Sequence, residues 1–174
     1  MSTVAEESLV NQIVEPALVA AAMSSVDSAL TMCETKAHCV GVSAVPYSQQ
    51  GIVTGLVGVH GKVSGFVTVN MAERFAIKAV EGFSGEKQEK LSVEVIDGVG
   101  EITNLIAGGI KGALSSSPWS FTNITVPSVI VGSGYQIAYA KGLHFLCAQF
   151  EHEDPDALML QDRILQISIS LLRL

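Results

Sequence analysis

The segment Asp97–Leu114 constrains the fold of this chain more than any other stretch. On a helical wheel, at about 100° per residue, its residues separate into an apolar and a polar stripe. The apolar stripe, which begins just before the segment, consists of Val95, Val99, Ile102, Ile106, Ile110 and Ala113. The polar stripe on the opposite side consists of Asp97, Glu101, Asn104, Gly108 and Lys111. Because one apolar face must pack against a core, the pattern predicts a long amphipathic helix.

The predicted helix also carries more glycine than a stable helix needs. Its glycines are Gly98, Gly100, Gly108, Gly109 and Gly112. Each costs about 1 kcal/mol of helix stability relative to alanine, so we expect another group to approach this helix closely. On the polar stripe, Glu101 offers a carboxylate for a cation, and the Asn104 amide both donates and accepts, so it can hold a water molecule. An ordinary solvated helix face fits the same spacing.

A distant proline completes a recognisable pattern. Asp97-x3-Glu101-x2-Asn104 is followed by the 22 residues 105–126 and then by Pro127. This spacing resembles the signature of the CheC/CheX/FliY family of chemotaxis phosphatases. The local sequence GEITNLIAGGIKGAL is most similar to CheX-like members, which carry the pattern once, whereas CheC carries it twice.

The remaining sequence predicts helices and strands in the order α, β, β, β, α, α, β, β, β. Two further helices are predicted, one beginning at Pro16 and one over Met71–Phe83. Strands are predicted over residues 37–47, 52–59, 62–70, 124–131, 143–150 and 164–174. This order predicts an α+β fold in which long helices pack on a mainly antiparallel, six-stranded sheet. The resemblance to CheX implies the same fold.

Composition bounds the class of protein. The 174 residues suit one domain, here 1–174 with residues 1–14 as an N-terminal extension. With 48% hydrophobic and 16% charged residues, intrinsic disorder is excluded. A net charge of −7 without a basic run disfavours nucleic-acid binding. Three cysteines without a Cys-x-x-Cys motif predict reduced thiols and a cytoplasmic protein, and no segment predicts a membrane span.

Two groups of residues invite comparison with metal sites. Cys33, His38 and Cys39 do not have the spacing of a zinc module, and small buried side chains are the better interpretation. The acidic run 151–156, with His152, is interpreted as a solvated turn after a strand. No metal site is therefore predicted, and no nucleophile–histidine arrangement or phosphate-binding loop is recognisable either.

The resemblance implies a mechanism in which the substrate is another protein. It implies that Asn104 orients a water molecule against the phospho-aspartate of a CheY-like response regulator, and that Glu101 contacts the regulator's lysine. Asp97, Gly108 and Lys111 would be partner contacts, and Pro127 is expected to be structural. It also implies that the chain binds no cofactor, that the partner supplies Mg²⁺, and that the chain forms a homodimer. A non-catalytic module that binds a regulator or resembles flagellar-switch proteins is the alternative.

Overall fold

The computed structural model describes residues 14–45, 51–135, 137 and 142–174. Of the predicted N-terminal extension, residues 1–14, only Val14 belongs to the described part. The helices are α1 (Pro16–Met32), α2 (Glu73–Ser84) and α3 (Val93–Ala113), with a short 3-10 helix over Leu160–Arg163. The strands are β1 (Ala37–Ser43), β2 (Val53–Gly61), β3 (Val63–Met71), β4 (Phe121–Ile124), β5 (Ser128–Val131), β6 (His144–His152) and β7 (Ile164–Arg173).

These strands form one antiparallel sheet in the order β1-β6-β7-β3-β2-β4, with β5 also paired to β2. The predicted α+β class is confirmed, but the sheet has seven strands instead of the predicted six. The predicted strand 124–131 is in fact two strands that pair with β2 in succession. Val59 pairs with Ile124, and Gly55 pairs with Val129. Pairing stops between them because Pro127 has no N–H to donate.

The helices cover one face of the sheet and bury their apolar sides, including the predicted apolar stripe of α3. The core joins Leu165, Ile167, Ile169 and Leu171 of β7 to the inner faces of the three helices. In α3 every predicted core residue is buried except Ala113, which is exposed. The helix ends at Ala113, and the next residue, Leu114, takes the buried position instead.

Helix α3 begins four residues before Asp97, where its polar stripe starts. Ser92 is the N-cap, and its Oγ accepts a hydrogen bond from the Val95 N–H over 3.3 Å. This satisfies one of the amide groups that a helix start leaves without a partner. The charged segment 86–90 precedes the helix and is not part of it.

The acidic run is not the solvated turn that its charge predicts. Strand β6 continues through His152, whose buried ring places Nδ1 2.8 Å from the Lys36 carbonyl oxygen. The buried Asp154 carboxylate accepts from Arg74 Nε at 2.7 Å and lies 2.8 Å from Lys78 Nζ. These cations hold the pKa of Asp154 well below its usual range. The carboxylate therefore stabilises the fold above its unfolded-state pKa, and this contribution is lost as the pH falls through the folded-state value.

Candidate docking and catalytic site

The predicted polar stripe of α3 faces away from the core. Asp97 and Glu101 are exposed, while Asn104, Gly108 and Lys111 are half-buried. Within the described part of the chain, none of the four side chains on this stripe makes a hydrogen bond or an ion pair. Two carboxylates, an amide and a lysine are thus presented in line, with their polar groups available to another molecule.

The glycines of α3 serve two different surfaces. A Cβ atom added to Gly98 would lie 2.6 Å from Val80 Cγ1, and one added to Gly109 would lie 2.8 Å from Ser25 Oγ. These two glycines therefore let α2 and α1 pack closely against α3. A Cβ atom on Gly108 would meet nothing within 4 Å among the described residues. The packing of the described residues gives no reason for glycine there, on the same stripe as Asn104.

Strand β2 supports the helix directly beneath this stripe. Thr103 is fully buried, and its Oγ1 donates a hydrogen bond to the Val99 carbonyl oxygen over 2.7 Å. A Cβ atom on Gly55 of β2 would lie 2.7 Å from Thr103 Cβ and would overlap Thr103 Oγ1. The absence of a side chain at Gly55 thus sets how close α3 approaches the sheet, one residue away from Asn104.

The connection between β4 and β5 flanks the stripe on the side of the edge strands. Pro127 Cγ lies 3.7 Å from the position that a Cβ atom on Gly100 would take, so the proline packs beside the residue that precedes Glu101. Thr125 fixes the other end of the connection through two hydrogen bonds to Gly58. The Thr125 N–H donates to the Gly58 carbonyl oxygen over 2.9 Å, and the Gly58 N–H donates to Thr125 Oγ1 over 2.9 Å. Between them, the Val126 side chain is 86% exposed.

Sequence reasoning missed Val126 as a surface residue. A valine inside an apolar segment of residues 124–131 is typical of a strand, and no local pattern marks it as exposed. The distant Pro127 was the only available signal, because proline favours the edges and interruptions of sheets.

The described residues contain no group of three or more histidine, cysteine, aspartate or glutamate side chains that could hold a metal ion. Burial raises the pKa of the Cys33 thiol to about 11, which leaves it protonated at neutral pH.

The sequence model of the family described as chemotaxis phosphatase CheX matches residues 53–151, which include the whole of α3 and Pro127. The chain belongs to the CheX family. No curated protein sequence matches it. None of the helices in the described ranges is long and apolar enough to cross a membrane.

Solved structures of CheX and CheC-like proteins have the same fold. The chemotaxis protein CheX from Vibrio vulnificus is 26% identical, with a TM-score of 0.73 over 88% of this chain and 98% of its own. A CheC-like superfamily protein from Shewanella sp. PV-4 is 23% identical, with a TM-score of 0.74 over 91% of this chain and 99% of its own.

A third similar structure contains a partner. The CheX of the CheX–CheY–BeF3–Mg²⁺ complex from Borrelia burgdorferi is 23% identical to this chain, with a TM-score of 0.66. The match covers 90% of this chain and 96% of the Borrelia chain. That protein was crystallised with CheY, beryllofluoride and Mg²⁺.

Proposed function

We propose that this CheX-family chain hydrolyses the phospho-aspartate of a CheY-like response regulator. The observation that carries the proposal is the pair Glu101 and Asn104, one helical turn apart on the outward face of α3 and without partners among the described residues. Membership of a chemotaxis phosphatase family and the CheY complex of the Borrelia relative support it.

In the proposed reaction, a water oxygen attacks the phosphorus atom and the bond to the aspartyl oxygen breaks. The products are inorganic phosphate and a free aspartate carboxylate. The Asn104 side-chain amide enters the regulator's site and holds this water in line with the breaking bond. Orienting one water is catalysis by positioning and needs no shifted pKa in this chain.

The other residues of the stripe fix how the two proteins meet. Glu101 forms an ion pair with a lysine of the regulator and sets the register of α3 in the regulator's site. Gly108 leaves room for the regulator's surface, and Asp97 and Lys111 contact it at the rim. Pro127 keeps the β4–β5 connection against Gly100 and so supports α3 from the side.

The test is to mix the protein with each phosphorylated response regulator of its host and to follow the loss of acyl phosphate. We expect one or a few regulators to lose phosphate much faster than they do alone. A regulator that binds firmly but keeps its phosphate would instead favour a non-catalytic interaction module, the class to which flagellar-switch relatives of this fold belong. The intact Glu101 and Asn104 pair favours the catalytic function.

We expect Mg²⁺ to be required through the partner. Asp97 and Glu101 are the only carboxylates on the stripe, and the described residues hold no acidic cluster that could bind a hard cation. Isothermal calorimetry should therefore detect no tight Mg²⁺ binding by the isolated chain, while chelation should stop dephosphorylation in the mixture. Stoichiometric Mg²⁺ binding to this chain alone would contradict the prediction.

Replacing Glu101 by glutamine should weaken the complex while preserving the side chain's shape. Losing a charge-assisted contact should raise the Kd for the beryllofluoride-loaded regulator about tenfold, and the hydrolysis rate should fall with it. Because salt screens exposed charges, the difference should shrink at high ionic strength. Glu86→Gln, which removes an exposed carboxylate outside α3, is the matched control. Equal affinities of Glu101→Gln and wild type would refute the ion pair.

We also propose a symmetric homodimer through the sheet that leaves both α3 stripes free. The final strand β7 is central, between β6 and β3, and so offers no free edge. Strand β1 instead pairs only with β6 among the described strands and carries the exposed valines Val40 and Val42. Such an edge invites pairing with a second chain. Light scattering at micromolar concentration should give twice the 18.3 kDa chain mass, and a monomer mass would refute this.

A further inference from the structure

We propose that Val126 is a docking residue that packs against an apolar patch of the response regulator beside its phosphorylation site. The inference rests on the proposed function and adds an apolar contact to the charged and polar ones of α3. The residues 125–127 that connect β4 to β5 are here called the edge arch. Val126 projects from this arch with 86% of its surface exposed.

A single exposed valine is ordinary on a protein surface, so its exposure alone is no evidence of a binding role. What distinguishes Val126 is that both of its neighbours are held. Thr125 makes two hydrogen bonds of 2.9 Å to Gly58, and Pro127 packs beside Gly100 of α3. Because the backbone is held on both sides of Val126, this residue loses little conformational freedom on binding, which favours its use as a contact.

Protection of the sheet edge does not explain a valine at this position. Edge strands are protected by proline, by bulges or by charged side chains, and lysine is the usual choice. Pro127 and the interrupted pairing already provide that protection. An outward valine adds apolar surface where edge protection would favour a charge.

The position of the edge arch beside α3 indicates that its partner is the response regulator. Pro127 contacts the position of Gly100, and Glu101 follows at once, so a partner that reaches Glu101 and Asn104 also meets the edge arch. Val93, 68% exposed, lies on the same side of α3 as Asn104, about three turns nearer the start of the helix. A second copy of this chain fits less well, because pairing along β4 and β5 is broken at Pro127, whereas β1 offers a longer edge.

The experiment uses the whole chain and the phosphorylated regulator that loses its phosphate fastest when each regulator of the host is mixed with the protein. Val126→Ser removes the apolar contact, and Val126→Ile keeps it. Leu158→Ser is the matched control, because Leu158 is 93% exposed in the connection between β6 and β7, which lie on the other half of the sheet. The measurements are KM and kcat for dephosphorylation, Kd for the beryllofluoride- and Mg²⁺-loaded regulator, the Tm and the mass in solution.

We expect Val126→Ser to raise KM and Kd about tenfold, the scale of one valine lost from an interface, with kcat within about twofold of wild type. Val126→Ile and Leu158→Ser should behave as wild type, and all three variants should keep the Tm. An unchanged KM for Val126→Ser would overturn the inference. A lower kcat at unchanged KM would also overturn it, because Val126 would then act by keeping α3 in place. A change in the mass in solution would overturn it as well, because Val126 would then contact a second copy of this chain.

The proposed function can fail separately. If the wild-type protein dephosphorylates no regulator, the proposed function is wrong, and the docking inference, which rests on it, is wrong too. If wild type is active and only the Val126 variants are indistinguishable from it, the function stands and the docking inference is wrong.

Discussion

Replacing Asn104 by alanine should lower the maximal rate of regulator dephosphorylation by about 10²-fold or more. The variant loses the amide that orients the attacking water, and positioning of this kind is worth several kcal/mol of activation free energy. Most of the α3 surface remains, so Kd for the beryllofluoride-loaded regulator should change little. Asn104 is half-buried, and its side chain has no bonding partner in the described part of the chain, so the unfolding free energy should stay within about 0.5 kcal/mol.

The matched control for this variant is Asn123→Ala, which removes an exposed asparagine side chain from β4. It should retain the wild-type rate and affinity. Stopped-flow dephosphorylation, regulator titration and thermal melting on the three proteins separate the outcomes. If Asn104→Ala is as fast as wild type, the catalytic role is wrong and the interaction module becomes the better explanation.

Replacing Gly55 by alanine should destabilise the protein by about 2–3 kcal/mol, although it adds only one methyl group. That methyl group would overlap Thr103, which is fully buried and hydrogen-bonded to the Val99 carbonyl oxygen, so it cannot move aside. Overpacking a filled core at this level costs about 1–3 kcal/mol, because the backbone must shift. As α3 moves from β2, Asn104 moves with it, and kcat should fall as well. Urea denaturation and the dephosphorylation assay measure the two effects.

The matched control is Gly108→Ala, the same substitution at a glycine with open space around it. Alanine there should raise the unfolding free energy by about 1 kcal/mol, because alanine favours a helix over glycine. The regulator should nevertheless bind less tightly, since the added methyl group occupies the proposed contact surface. A stable Gly55→Ala protein with normal activity would show that the separation of α3 and β2 is not fixed by this contact.

The sequence by itself determined the features that depend on local periodicity. Spacing along α3 placed Glu101 and Asn104 opposite the apolar stripe, and the structure has them on the outward face. The antiparallel sheet with helices packed on it followed in the same way, because a helix or strand with one apolar side must bury that side. The resemblance to CheX rested on the same local motif and on one proline.

Only the tertiary structure decided the features that depend on which distant segments meet. A helical wheel gives angles around one axis, so it could not show that Gly98 and Gly109 face neighbouring helices while Gly108 faces open space. Hydropathy could not place β7 in the centre of the sheet, nor show that Asp154 is buried between Arg74 and Lys78. Val126 became a candidate contact only when Pro127 was found beside Gly100, since that contact joins segments far apart in the chain. Pairing and burial of this kind depend on the whole fold, and no local pattern encodes them.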